Sequence, residues 1–130
     1  MKKILVTGAC GYLGANVCEY LAKAGYSVTA FTSFDSAFYE NWNTLIDDII
    51  IGDIQDELAV TDLAKKQFDT VIHLVSLDHL KSEKNPNFVS AINVMPIWNL
   101  LYVLTKKGLK RFINFSTVHV YGDLPSKNLK

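Results

Sequence analysis

The chain has 130 residues, of which 49% are hydrophobic and 20% charged, the balance of one ordinary globular domain able to build its own core. Its 13 basic and 13 acidic residues cancel to zero net charge, so no electrostatic case arises for a nucleic-acid or acidic-membrane partner. The apolar run Ile4-Leu5-Val6 is far too short for a signal-peptide core, and no stretch is expected to reach the ~18 apolar residues of a membrane span. With Cys10 and Cys18 read as two reduced thiols, a cytoplasmic location is expected.

Residues 3–7 read as a short buried strand, followed by a glycine-rich turn from Gly8 to Gly14. Leu13, Val17, Leu21 and Ala24 fall at helical spacing over 12–24, and Gly25 is a natural stop. A second strand fits 27–32, and 33–46 is ambiguous, with Asp35 able to cap a short helix. A third strand fits 48–52, and Asp56 can cap a helix over 57–67. Val71 to Val75 read as a fully buried fourth strand, 86–107 as one long helix and 111–116 as a fifth strand. Pro96 falls inside that helix, where a missing N–H should distort it, either for function or as a tolerated irregularity.

Strands alternating with helices predict an α/β fold: a doubly wound parallel sheet of the Rossmann type in three α/β/α layers, cut off after about five strands. Near-continuous apolar strands imply that both sheet faces are covered. Ligands of such sheets bind at the strand carboxyl ends where the strand order reverses, and the turn after the first strand lies there. In that turn Gly8 permits the sharp exit from the strand, Gly11 lets backbone approach a diphosphate, and Gly14 allows close packing of the helix. Amides at the helix start then face the anion.

Thr7-Gly8-Ala9-Cys10-Gly11-Tyr12-Leu13-Gly14 resembles the phosphate loop of the extended short-chain dehydrogenase/reductase family, in its NAD-dependent epimerase/dehydratase branch. The resemblance runs along the whole chain: Gly52-Asp53-Ile54-Gln55-Asp56, Val71-Ile72-His73-Leu74-Val75, Asn93-Val94, and Phe115-Ser116-Thr117-Val118-His119-Val120-Tyr121-Gly122 match successive family segments in register. It implies an epimerase, dehydratase or reductase working on a nucleotide-sugar through NAD. A non-catalytic dinucleotide-binding or sensor protein of the same fold is the alternative.

Residue by residue, the resemblance implies cofactor contacts from Gly8, Cys10, Gly11, Tyr12, Leu13 and Gly14. Asp53 with Ile54 would hold the adenine, Leu74, Val75 and Ser76 would border the cofactor, and Asn93 would orient backbone or water beside it. At the end of the second strand, where a carboxylate would hold a ribose diol, this sequence has Thr32; Asp35 either reaches the ribose from three residues on or caps a turn. With no Arg or Lys nearby, NAD is favoured and NADP stays open.

The resemblance places a catalytic hydroxyl at Thr117, with Ser116 supporting the turn. A Tyr-x-x-x-Lys pair should follow by about two dozen residues, on the next helix, so the chain is expected to lack its acid/base and to be inactive alone. Tyr102 and Lys106 share that spacing but precede Thr117; they are read as packing and as a solvated charge. His73 is expected to donate to backbone, and His79 and His119 to lie in loops or at strand ends. No metal is expected, since no His/Cys cluster has ligand spacing. Ile97, Trp98, Leu101 and Leu104 would either support a homodimer, which related enzymes form through long helices, or only cover the sheet.

Overall fold

The computed structural model describes residues 1–33, 44–77, 79–117, 120 and 122. Five strands, β1 (Lys3–Thr7), β2 (Ser27–Thr32), β3 (Asp48–Ile51), β4 (Thr70–His73) and β5 (Arg111–Asn114), form one sheet. Their order is β3-β2-β1-β4-β5, and every pairing is parallel. The order reverses at β1, so a crevice opens between the carboxyl ends of β1 and β4.

Alternation along β1 sends Ile4 and Val6 to one face and Leu5 to the other. The first face packs with Val28, Ala30, Ala15 and Cys18, the last two from α1 (Tyr12–Lys23). The second packs with Phe31, Ile54, Val60, Leu63, Leu100 and Leu104. Val60 and Leu63 belong to α2 (Glu57–Leu63). Two covered faces give the expected three layers. The strands beyond β1 on the β4 side are less enclosed: Ile72, Leu74 and Val75 are only half-buried, against the reading of a fully buried strand over 71–75, and the edge strand β5 has no buried residue.

Element boundaries differ locally from the expectations. The third, fourth and fifth strands end at Ile51, His73 and Asn114, because the chain then turns into the site loops. Asp56 caps α2, its Oδ1 accepting from the Leu58 N–H at 2.9 Å. The α-helix stops at Leu63 and tightens into a 3-10 turn over Ala64–Lys66, ending at Gln67 with φ 55°. Residues 79–84 form a short helix, α3 (His79–Lys84), so His79 is not in a loop.

The long helix is interrupted. It consists of α4 (Pro86–Val89), a π turn (Ser90–Val94) and α5 (Met95–Thr105). Pro96 thus distorts the helix as expected, in the form of a widened turn. Pro86–Thr105 is also long and apolar enough, by length and composition, to cross a membrane, which corrects the reading that no stretch approaches a span. Leu100 and Leu104 bury one side of it against the sheet, as in the core helix of an α/β layer.

Candidate functional site

The loop leaving β1 is built by its glycines. Gly8 has φ 71°, a left-handed conformation open to glycine, and an added Cβ would stand 3.2 Å from the Leu74 carbonyl carbon and the Val75 nitrogen. Gly14 is held tighter: its Cβ would lie 2.2 Å from the Gly8 oxygen. Gly14 therefore packs α1 directly on the loop backbone. Gly11 has an ordinary φ of −70°, and its Cβ would meet only the Gly8 oxygen, at 3.2 Å.

Gly11 starts α1 with no side-chain cap. Its own N–H is bonded to the Gly8 carbonyl at 3.1 Å, so it is not among the amides open to an anion. The next three, on Tyr12, Leu13 and Gly14, precede the first N–H that bonds within the helix, that of Ala15 to the Gly11 carbonyl. Such first-turn amides have no intrahelical acceptor and carry the positive end of the helix dipole.

Two confluent cavities lie over the strand ends. The first, about 320 Å³, is lined by Phe31 and Thr32 at the end of β2 and Ser33 after it, by Gly52 to Gln55 after β3, and by Ile92. The second, about 560 Å³, is lined by Tyr12, Leu13 and Gly14, by Asn93, and by Asn114 to Thr117 with Val120. Gly8, Gly11 and Leu74 to Leu77 line both. A ligand with two ends and a charged middle could thus lie across the glycine loop.

Of the residues singled out in sequence, Thr32, Asp53 and Ile54 line the first cavity, and Tyr12, Leu13, Gly14, Asn93 and Thr117 the second. Asp53 is exposed, with Oδ1 accepting from the Gln55 N–H at 2.9 Å. Asn93 Oδ1 accepts from the Leu77 N–H at 2.7 Å. Cys10 lines neither cavity and is 1% exposed; its side chain packs in the core. Burial, with Cys10 as a second cause, pushes the nearby Cys18 thiol up to about 12. Asp35, Asp78, His119 and Tyr121 lie outside the described residues.

Ser33, Gln55, Leu77, Ile92, Asn114 and Phe115 line the cavities without having been singled out. All but Asn114 adjoin a residue that was, so adjacency was the available signal; Asn114 follows from its place at the end of β5.

His73 does not donate to backbone. Its Nδ1 lies 2.7 Å from Thr7 Oγ1, because the parallel register sets Thr7 opposite His73. Nε2 is buried with no partner among the described residues, and burial lowers the imidazole pKa to about 4.

Tyr102 does not pack inward: it is 67% exposed. Lys106 Nζ sits 3.4 Å from its ring centroid, and a hydrogen bond with Lys106 lowers the phenol pKa. Neither residue lines either cavity. Among the described residues no three His, Cys, Asp or Glu side chains group as metal ligands.

Comparisons with known proteins agree with this architecture. UDP-glucose 4-epimerase of Pisum sativum is 28% identical over 93% of this chain and 38% of its own length. UDP-glucose 4-epimerase 3 of Oryza sativa subsp. japonica is 30% identical over 92% of this chain and 35% of its own. The solved UDP-glucose 4-epimerase of Thermotoga maritima, with UDP-glucose, superposes with a TM-score of 0.84 at 29% identity, covering 98% of this chain and 41% of that one. MoeE5, solved with UDP-glucose and NAD, gives 0.79 at 27% identity, covering 92% and 38%. The chain therefore spans less than half the length of each. The family model for the NAD dependent epimerase/dehydratase family matches residues 4–129, and the chain belongs to that family.

Proposed function

We propose that this chain is the NAD-binding front of a cytoplasmic nucleotide-sugar epimerase or dehydratase, with the diphosphate lying on the first-turn amides of α1. The observation that carries the reading is the position of those amides, beside a glycine loop shared by two cavities. The donor set suits an anion: the amides of Tyr12, Leu13 and Gly14, and a loop at Gly8 with no side chain to intrude. Thr32, Ser33, Asp53 and Ile54 would take the adenosine end. The absence of any Lys or Arg among the described residues lining that cavity favours a free ribose diol over a 2′-phosphate, hence NAD over NADP.

When bound, the nicotinamide supplies reversible hydride acceptance. Leu74 to Leu77 and Asn93 would shape its side of the second cavity. The Thr117 hydroxyl, in the same cavity, would hold the reacting sugar oxygen. No Tyr-x-x-x-Lys pair follows Thr117 within these 130 residues, which supply binding and orientation. Two copies would associate through the apolar face of α5.

Calorimetric titration of NAD and of NADP into the folded chain tests the cofactor reading: NAD is expected to bind and NADP to bind more weakly. Failure of both would overturn it. UDP-galactose is expected to persist when incubated with the chain and NAD, and its conversion would refute the missing acid/base.

A further inference from the structure

We propose that Pro96 is a positioning residue for the nucleotide site: by fixing a π turn at Ser90–Val94 it sets Asn93 against the loop Leu74–Leu77, the wall both cavities share. In an ordinary α-helix the N–H of residue 96 would bond the carbonyl of Ile92. Proline has no N–H, and its ring collides with that carbonyl. The chain instead takes one more residue into the turn. The Met95 N–H reaches the Ser90 carbonyl, five residues back rather than four, and Val94 swings to φ −115°. Pro96 itself is buried on the inner side of α5 with Leu100 and Leu104, at four-residue spacing.

The widened turn carries two neighbouring residues onto the two halves of the site. Ile92 lines the first cavity and Asn93 the second. Asn93 Oδ1 accepts the Leu77 N–H at 2.7 Å, across the space between α5 and the end of β4. Removing the extra residue from the turn would shift α4 by about one residue, ~100° about the helix axis, and turn Asn93 with it. π turns of this kind concentrate where a helix must present side chains to a site.

The inference rests on the nucleotide-binding reading for its consequence and on geometry for its cause, so the test reads each. In the 130-residue chain, Pro96→Ala restores the missing donor. Hydrogen exchange at the Leu77 amide is expected to quicken about tenfold, with Val6 in β1 unchanged, and the Kd for NAD to rise about tenfold. Asn93→Ala should reproduce the Leu77 change with the proline in place. Wild-type exchange at Leu77, wild-type NAD affinity, or equal loss of protection at Val6 in Pro96→Ala would overturn the proposal. If the unaltered chain binds no NAD, the nucleotide reading fails, and the Leu77 arm still decides whether Pro96 sets the loop.

Discussion

Gly11 and Gly14 look alike in the sequence and differ in what surrounds them. A methyl at Gly14 would stand 2.2 Å from the Gly8 oxygen and 2.8 Å from the Ala9 Cα, both backbone, so α1 or the loop must move. Gly14→Ala is expected to cost roughly 2–4 kcal/mol, read by denaturant melts. Gly11 has an ordinary φ and one contact at 3.2 Å. Gly11→Val should fold, within about 1 kcal/mol of the parent, while its side chain crowds the diphosphate. Its NAD affinity should fall at least tenfold (about 1.4 kcal/mol), and retained affinity would count against the loop as the anion site. The spacing of the glycines was legible in sequence. The close packing read for Gly14 was legible too; how tightly it is held was not, because that depends on how closely α1 lies on the loop.

His73 shows the same limit. The sequence places it in a strand but cannot say what stands across from it. The register with β1 puts Thr7 there, and burial does the rest. Burial lowers the imidazole pKa from 6.5 to about 4, so the unfolded chain binds this proton more tightly than the folded one. Its neutral form supports the fold fully above pH 6.5. That support declines as pH falls towards 4, by about 3 kcal/mol in total. Chemical melts between pH 7 and 4 should show this limb. His73→Leu should be less stable at neutral pH, through the stranded Thr7 hydroxyl, yet flatter across the window.

At the scale of elements, local signals served best where one residue closes its own structure. Asp56 was legible as a cap because its carboxylate needs only the N–H two residues on. Asp56→Ala should cost about 1 kcal/mol of stability, measured by thermal or urea melts; no change would mean that packing of Val60 and Leu63 alone fixes the start of α2. Proline marked the irregularity in the long helix but not its form, since a kink and a π turn both relieve the same clash. The loop ends of β3, β4 and β5 were read too long because the chain leaves the ladder for the cavity walls, where Leu74 and Val75 line both cavities.

At the scale of the whole molecule, alternating strands and helices were enough to anticipate the parallel sheet and the place where its order reverses. What a single chain hides is which apolar helix face meets the sheet and which meets something else. Leu104, for which the sequence left open either a dimer contact or cover for the sheet, is 1% exposed and belongs to the core. The outward stripe is instead Val94, Met95, Trp98 and Tyr102, exposed by 44%, 52%, 67% and 67%, with Trp98 and Tyr102 one helical turn apart. Large apolar side chains contiguous along a helix are costly to leave in water. If the proposed pairing of two copies uses this stripe, burying Trp98 at its centre should dominate the contact. Light scattering of the unaltered chain at micromolar concentration is then expected to give twice the 14.6 kDa chain mass. Trp98→Glu should return the chain mass, because a carboxylate would be desolvated against its own copy. The substitution lies on the side of α5 away from the cavities, so NAD affinity per chain should be unchanged. A monomer in both cases would remove α5 as a self-association surface and leave the stripe to cover some other element.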